Sequence, residues 1–205
     1  MQFIFALLLF LFGISLSANA QAYERGGRYH SIALGASQFV HLSDSYYFSG
    51  NGSGLGRNWY QPTTLQANYQ LEFGISEYVG LGFTTGVGFG GSWNKSATTS
   101  YSSIEVNVPI GFIANFHFYQ LIDDKVNKDI HADKLDIYFG ANIGSGLALL
   151  HNTYIYSDDN EALAILFGGF QTGIRYYVTE KLAVHVETGY GKSFFTAGIT
   201  LRPTR

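Results

Sequence analysis

Histidine, hydroxyl and carboxylate side chains come close together in the sequence at two places. A histidine that takes a proton from a hydroxyl group, oriented by a carboxylate, activates a nucleophile for acyl transfer or hydrolysis. The two groups are His41 with Ser43 and Asp44, and His151 with Ser157 and Asp158. Both lie in polar stretches rich in Ser, Asn and Asp, where such neighbours arise by chance. The sequence therefore predicts no catalytic site and no bound cofactor.

A stretch of mixed charge, residues 120–134, has carboxylates whose spacing resembles that of a calcium loop. Such a loop needs a glycine at its sharp turn, but this stretch contains no glycine and its aspartates are interrupted by lysines. We therefore predict a solvated turn without a metal ion.

The whole chain has a formal net charge of -3 and a pI near 6.0, so it offers no basic patch for nucleic acid.

Other ionisable side chains occur singly in long uncharged segments, and their positions depend on the elements around them. They are Glu72, Glu105, His117, Arg175, His185 and Glu187. Within residues 79–90, one parity is mostly large and apolar, and the other is glycine at five of six positions. A period of two predicts a β-strand. A helix would lose about 1 kcal/mol for each interior glycine relative to alanine.

The same alternation recurs along the chain and predicts eight strands. Their approximate ranges are 28–40, 63–75, a segment from 79, 103–119, 135–150, 166–176, 182–186 and 195–201. An even number of antiparallel strands places both chain ends on one rim. Short turns at 75–79 and 178–182 share that rim, each with a hydroxyl residue able to bond the turn backbone. Longer connections at 41–62, 94–102 and 151–161, and the short 191–193, belong to the opposite rim.

The apolar parity is expected to face outward into lipid. A soluble barrel with an apolar cavity needs a charged outer surface, whereas charged residues are 13% of this chain and its polar parity is mostly Gly, Ser, Asn, Gln and Thr. Small neutral groups suit the narrow lumen of eight strands, where glycines leave room for larger side chains of neighbouring strands. The predicted fold is an all-β, eight-stranded antiparallel transmembrane β-barrel.

The charged residues inside strands share the polar parity, so we expect them in the lumen. A turn over residues 179–181 places Arg175 opposite His185 and diagonal to Glu187, within reach of a long side chain. We therefore predict an ion pair between Arg175 and Glu187. Glu72, Glu105 and His117 are further candidates for the same network.

The first twenty residues differ from the rest of the chain. An unbroken apolar run, residues 3–12, precedes small residues that end in Ala18-Asn19-Ala20, which is the pattern of a secretory signal peptide with its cleavage site. We predict a signal peptide over 1–20 and one barrel domain over 21–205. The chain has no cysteine, so disulfides cannot stabilise the exported domain.

The end of the chain resembles a known family. A strand, a tight polar turn, a strand, then Gly189-Tyr190-Gly191 and the final strand 194–202 are similar to the small bacterial outer-membrane barrels grouped with OmpA, OmpX and OmpW. The resemblance implies an integral outer-membrane location, contact with lipopolysaccharide, insertion by the barrel-assembly machinery and a monomeric state. In that family the last strand usually ends in an aromatic residue, whereas Pro203-Thr204-Arg205 ends this chain.

The resemblance leaves three functions open. The first, which we favour, is a non-catalytic barrel with a structural or adhesin-like role, whose extracellular ligand the sequence does not name. The second is a narrow channel for small apolar molecules, as in OmpW-like barrels. The third is a lipid A-modifying enzyme; His41-Leu42-Ser43-Asp44 lacks the final asparagine of the deacylase-type signature.

Overall fold

The computed structural model describes residues 22–37, 40–41, 64–95, 100–126, 133–154 and 158–203. In these ranges the long strands are β1 (Arg28–Ser37), β2 (Thr64–Gly74), β3 (Val79–Lys95), β4 (Ser100–Phe116), β5 (Leu135–Tyr154), β6 (Asp158–Tyr177), β7 (Leu182–Gly189) and β8 (Phe195–Leu201), with one helix, α1 (Phe118–Val126). The two-residue segment Val40–His41 pairs with β6. The predicted signal peptide lies outside the described residues.

The eight strands form a closed antiparallel ring. Each strand pairs with its neighbour in chain order, and β8 returns to pair with β1. The predicted eight-stranded antiparallel barrel is therefore confirmed. Closure matters because a barrel has no sheet edge left to pair with another chain. Of the helical residues described, none belongs to a helix long and apolar enough to cross a membrane.

The two parities of the strands face in the predicted directions. Phe83, Phe112 and Ile143 point outward with 50%, 61% and 67% of their surface exposed, while Glu72 and Arg175 are fully buried. An outer wall of large apolar side chains around a polar interior is the pattern of a barrel whose outer solvent is hydrocarbon. The fold is therefore that of a transmembrane β-barrel.

Pro109 interrupts one ladder without shifting its register. Thr85 pairs with Ile110 and Gly88 with Asn107, but the two β3 residues between them have no pairing partner on β4. Proline has no N–H to donate, which explains the gap. The Thr85 hydroxyl donates instead to the carbonyl oxygen of Pro109 at 2.9 Å, so the strands stay together and the parity continues.

Inward-facing glycines leave room for the large polar groups of adjacent strands, as predicted. A Cβ added to Gly80 would lie 2.0 Å from a carboxylate oxygen of Glu72, and one added to Gly173 would lie 2.2 Å from the ring of Tyr138. No real side chain tolerates such distances. The glycines of β3 and β6 therefore decide which bulky groups the lumen can hold.

One rim of the barrel carries both ends of the described chain, and we call it the terminal rim (residues 22–27, 75–78, 117–126, 133–134 and 178–181). Its two tight turns are built as predicted. The Ser76 hydroxyl accepts hydrogen bonds from the N–H groups of Tyr78 and Val79. Thr179 does the same for Lys181 and Leu182. The opposite rim, where residues 190–194 join β7 to β8, is called the loop rim.

The connection between β4 and β5 differs from the solvated turn that we predicted. It contains the nine-residue helix α1, because apolar side chains recur at helical spacing among its charges. These side chains are Phe118, Leu121, Ile122 and Val126. Residues 127–132 of the predicted turn lie outside the described residues.

A short segment before β1 closes the terminal rim. The N–H of Gly26 donates to the carbonyl oxygen of Gly74 at 2.6 Å, and the N–H of Glu24 donates to the Tyr29 hydroxyl at 2.7 Å. These bonds fold the segment under the barrel. Tyr23 thereby enters the lumen and becomes 1% exposed.

Candidate functional site

Four ionisable side chains meet in the lumen near the terminal rim, and we call them the floor cluster: Glu72, His117, Asp136 and Arg175. Asp136 on β5 lies directly opposite Arg175 on β6 in the strand register. Glu72 comes from β2, and His117 follows the last residue of β4. All four are 2% exposed or less, so the barrel wall brings two carboxylates and two basic groups into one buried volume.

Every carboxylate oxygen of the floor cluster accepts a hydrogen bond. Arg175 donates to Glu72 Oε2 at 2.5 Å and to Asp136 Oδ2 at 3.3 Å. The other two oxygens, Glu72 Oε1 and Asp136 Oδ1, lie 2.7 and 2.8 Å from the ring nitrogens of His117. Buried charges are tolerated only when they are paired and hydrogen-bonded in this way.

The position of His117 fixes its protonation. A neutral imidazole has one donor and one acceptor nitrogen, whereas ionised carboxylates accept only. Because both ring nitrogens face carboxylate oxygens, both must donate, and the ring is an imidazolium ion. Burial lowers the pKa of His117, but the charges of Asp136 and Glu72 and their hydrogen bonds raise it more, so the net shift is upward. The protonated cluster then has two positive and two negative charges and is neutral.

Aromatic rings enclose the basic groups of the floor cluster. The Arg175 guanidinium lies 4.4 Å from the ring centre of Tyr138 and 5.6 Å from that of Tyr29, within the range of cation–π attraction. Tyr23 stacks on His117 with 3.4 Å between ring centres and on Tyr29 with 5.2 Å. Tyr23 thus covers the cluster from below, on the side of the terminal rim.

A second ion pair lies higher in the lumen, between Lys192 and Glu187. Lys192 also donates to Gln70 Oε1 at 2.7 Å, and the Tyr138 hydroxyl donates to Glu187 at 2.9 Å. Lys192 comes from the connection between β7 and β8, where Gly191 has a φ of 94°. This left-handed conformation favours glycine and turns the chain so that the lysine enters the barrel.

A belt of amide side chains spans the lumen between the two charged groups. Asn142 donates to Gln171 at 3.2 Å, Gln171 donates to Asn115 at 2.9 Å, and Asn115 donates to Glu72 at 3.0 Å. Asn142 also accepts a hydrogen bond from the backbone N–H of Lys192 at 3.0 Å. The lumen is therefore crossed by one connected network from the β7–β8 connection to the floor cluster.

The lumen is organised differently nearer the loop rim. Gln66 and Asn68 on β2 are 1% and 6% exposed, yet neither amide has a hydrogen-bond partner among the described residues. Asn107 on β4 donates to Glu105 at 3.1 Å. This half of the lumen thus combines buried amides with a buried apolar cluster of Ala148, Ile165 and Phe167. The amides of Gln66 and Asn68 are not tied into the network below.

The predicted ion pair between Arg175 and Glu187 is wrong. Arg175 does lie opposite His185, as predicted, but it pairs with Glu72 and Asp136, while Glu187 pairs with Lys192. The predicted register of the hairpin is correct. Glu72 and Asp136, however, reach Arg175 from other strands and take the place of its diagonal neighbour Glu187.

The other network candidates divide between the two halves. Glu72 and His117 belong to the floor cluster, as predicted. Glu105 instead lies nearer the loop rim, where it accepts a hydrogen bond from Asn107. His185, opposite Arg175 in the register, is hydrogen-bonded to Thr200, which is hydrogen-bonded to Ser31.

Sequence reasoning missed two members of the network. Asp136 is the second residue of β5 and shares its inward parity, so the β5–β6 register would have placed it beside Arg175. The sequence pattern places Lys192 in a connection of the loop rim, but its side chain is 4% exposed and lies in the lumen. The signal that could have found it is the flanking Gly191, which permits a turn of the chain into the lumen.

The residues with hydrolase-type spacing are not brought together by the described part of the structure. The side chain of His151 is exposed and bonds with Asn160 at 2.8 Å. Ser43, Asp44 and Ser157 lie outside the described residues, as do the side chains of His41 and Asp158. Inside the lumen, His117 uses both ring nitrogens to hold carboxylates, so its role there is structural.

No protein-family model matches the chain, and no curated protein matches it. Among solved structures, it aligns with Ail, the attachment invasion locus protein of Yersinia pestis, at 13% identity over 87% of this chain and 95% of that one, with a TM-score of 0.40.

Two other small barrels align comparably. The N-terminal β-barrel domain of Pseudomonas aeruginosa OprF has 13% identity over 88% of this chain and all of that one, with a TM-score of 0.44. Neisserial surface protein A has 14% identity over 87% of this chain and 97% of that one, with a TM-score of 0.42. The closed ring of eight strands, rather than these alignments, establishes the fold.

Proposed function

We propose that this chain is a non-catalytic barrel of the bacterial outer membrane, closed to solutes, with a structural or adhesin-like role at its loop rim. One observation carries the proposal: a connected, buried network crosses the lumen, from Lys192 and Glu187 to the floor cluster, and Tyr23 covers it from below. A lumen filled with side chains is what eight strands allow. The protein then acts through its surfaces rather than by conduction.

The remaining parts of the proposal follow from the outer wall and the predicted signal peptide. A barrel with an apolar wall that is exported from the cytoplasm belongs in the outer membrane, where lipopolysaccharide and phospholipid contact it. Insertion by the barrel-assembly machinery fits that route. Because the eight strands close into a ring, we propose a monomer. The loop rim, which would face outward, is the surface available to an extracellular ligand.

Conductance in planar lipid bilayers tests the closed lumen. The purified, folded chain should insert and produce no discrete current steps, with a sixteen-stranded porin as the positive control for the bilayer. Folding is checked on the same sample by gel migration, since folded barrels of this kind migrate differently before and after boiling. Reproducible current steps from the folded chain would overturn the closed-barrel function and favour the channel.

Lipid A mass spectrometry tests the absence of catalysis. Lipid A from cells expressing the chain should have the same acyl pattern as lipid A from cells without it. A changed pattern that reverts in the His41→Ala or His151→Ala variant would show that one of the loop histidines is catalytic. Recovery of the chain in the soluble periplasm, instead of the outer-membrane fraction, would contradict the proposed location.

A further inference from the structure

Helix α1 presents one polar face to the barrel. Gln120 is buried, and its amide donates to Asp124 at 3.1 Å. Asp124 in turn accepts a hydrogen bond from the Tyr78 hydroxyl at 2.9 Å. Residues four apart lie on the same side of a helix, so these contacts define the side of α1 that faces the β2–β3 turn.

The side of α1 opposite Gln120 is apolar and partly exposed. Ile122 lies about 200° around the helix from Gln120, at 100° per residue, and is 42% exposed. Phe118, four residues earlier, shares this side and is only partly buried. Leu121 lies on the flank of the helix, about 100° from both Gln120 and Ile122, and is also partly buried. Lys125 lies on the same side, about 20° around the helix from Phe118, and is exposed. A long lysine beside apolar groups can keep its ammonium in a polar layer while its stem contacts hydrocarbon.

The helix is held so that this apolar side cannot turn into the lumen. His117, the residue before α1, has its ring locked between Glu72 and Asp136. Its backbone N–H donates to the carbonyl oxygen of Tyr78 at 2.8 Å. With the tie between Asp124 and Tyr78, the start and the middle of the helix are both fixed to the rim.

Helix α1 follows the outer wall of the barrel directly in the chain. Phe116, the last residue of β4, points outward and is 41% exposed, and α1 begins two residues later. The wall above it is a band of exposed apolar side chains that includes Phe112 and Phe139. Amphipathic helices with such a face lie in the boundary between lipid headgroups and acyl chains.

We propose that α1 is an interfacial helix whose apolar side, Phe118 and Ile122 with Leu121 on its flank, lies in the headgroup–acyl boundary of the bilayer at the terminal rim, with phospholipid as its partner. The inference rests on the proposed membrane location of the barrel. It adds that the helix sets how deep the barrel lies in the bilayer. The helix marks where hydrocarbon ends on that side, and it resists movement of the barrel along the bilayer normal.

Tryptophan fluorescence in brominated lipid tests this placement. The full mature chain has two tryptophans, Trp59 and Trp93, which are first replaced by phenylalanine. Three single variants follow in that background: Ile122→Trp on α1, Phe112→Trp on the wall and Glu77→Trp in the β2–β3 turn, where the side chain is exposed. Each is folded into phosphatidylcholine vesicles brominated either near the headgroup or near the chain end.

The expected order of quenching separates the possible outcomes. Ile122→Trp should lose most fluorescence with bromine near the headgroup, Phe112→Trp should also be quenched by deeper bromine, and Glu77→Trp should be quenched by neither. If Phe112→Trp is quenched but Ile122→Trp behaves like Glu77→Trp, the helix inference is wrong while the membrane barrel stands. A blue-shifted but unquenched Ile122→Trp would mean that protein covers the helix. If Phe112→Trp is not quenched, the membrane placement itself fails, and this inference with it.

Discussion

Buried polar groups are hydrogen-bonded to different extents in the two halves of the lumen. Near the terminal rim, both carboxylates of the floor cluster have hydrogen-bond partners on every oxygen. Nearer the loop rim, Gln66 and Asn68 are also buried, yet their amides have no partner among the described residues. Charge accounts for the difference, because an unpaired buried charge costs far more than an unpaired amide. The carboxylates of the floor cluster must therefore be fully hydrogen-bonded, whereas the neutral amides of Gln66 and Asn68 need not be.

This contrast locates the part of the barrel that depends on specific partners. The floor cluster combines three strands and the connection after β4, so removing one member affects the others. The amides of β2 contribute volume and polarity to the other half. Substitutions of similar size should therefore have very different effects in the two halves.

The largest effect is expected from Arg175→Met. It leaves Glu72 and Asp136 buried with one cation, His117, between them, and removing one partner of a buried ion pair costs roughly 3–5 kcal/mol. Urea unfolding in lipid vesicles measures the change in the free energy of unfolding. Arg28→Met at an exposed site should change it by less than about 0.5 kcal/mol. Equal effects of the two substitutions would refute the assigned role of the floor cluster.

A smaller loss is expected from Gly173→Ala. The new Cβ would lie 2.2 Å from the ring of Tyr138, which cannot retreat because it contacts Arg175 and bonds with Glu187. Overpacking of this kind costs typically about 1–3 kcal/mol. Gly168→Ala on the same strand is the matched control, since its nearest neighbour lies at 3.7 Å. If Gly173→Ala leaves the free energy of unfolding unchanged in the same assay, the lumen is packed more loosely than described.

Two asparagines compare the halves of the lumen directly. Asn115→Leu should cost about 1–3 kcal/mol, because Gln171 and Glu72 each lose one of their hydrogen bonds in a buried site. Asn68→Leu breaks no hydrogen bond to a described residue, so it should destabilise by less than about 0.5 kcal/mol. Thermal or urea unfolding of the pair gives the difference. A larger loss for Asn68→Leu would reverse the comparison.

The smallest effect concerns pH and His117. Its folded pKa is raised above the unfolded value, near 6.5, so its stabilisation is complete below about pH 6.5 and is lost as the pH rises through the folded pKa. Charged and titratable groups in contact with its ring are Glu72, Asp136, Tyr23 and Tyr138, and Arg175 pairs with the same two carboxylates. The difference in unfolding free energy between wild type and His117→Gln should therefore shrink as the pH rises from about 6.5 through the folded pKa of His117. A difference that grows with pH would contradict the imidazolium assignment.

The apolar outer wall of the barrel could be predicted from the sequence, because successive side chains of a strand point to opposite faces. The alternation of residues 79–90 and the uncharged apolar parity were enough to place Phe83 outside and Glu72 inside. The hairpin register of Arg175 and His185 was also accessible, since a tight turn fixes it. These are local properties of the chain.

The contacts across the lumen could not be predicted in this way. Arg175 and Glu72 are 103 residues apart, and the stagger of strands around the closed ring decides that they meet. The alternation along each strand shows that both side chains face the lumen, but it does not show their positions along the barrel axis. Helix α1 was missed for a different reason: its charged residues suggested a solvated turn, and the spacing of Phe118 and Ile122 was not weighed against them.

Single-cysteine spin labelling along β4 tests the central claim most directly, since the chain has no cysteine of its own. Labels at positions 110 to 115 are compared in lipid vesicles for collisions with oxygen, which concentrates in hydrocarbon. Positions 110, 112 and 114 should be readily accessible to oxygen, and positions 111, 113 and 115 should be protected, giving a period of two. The opposite phase, or no alternation, would contradict a barrel with an apolar outer wall around a closed polar lumen.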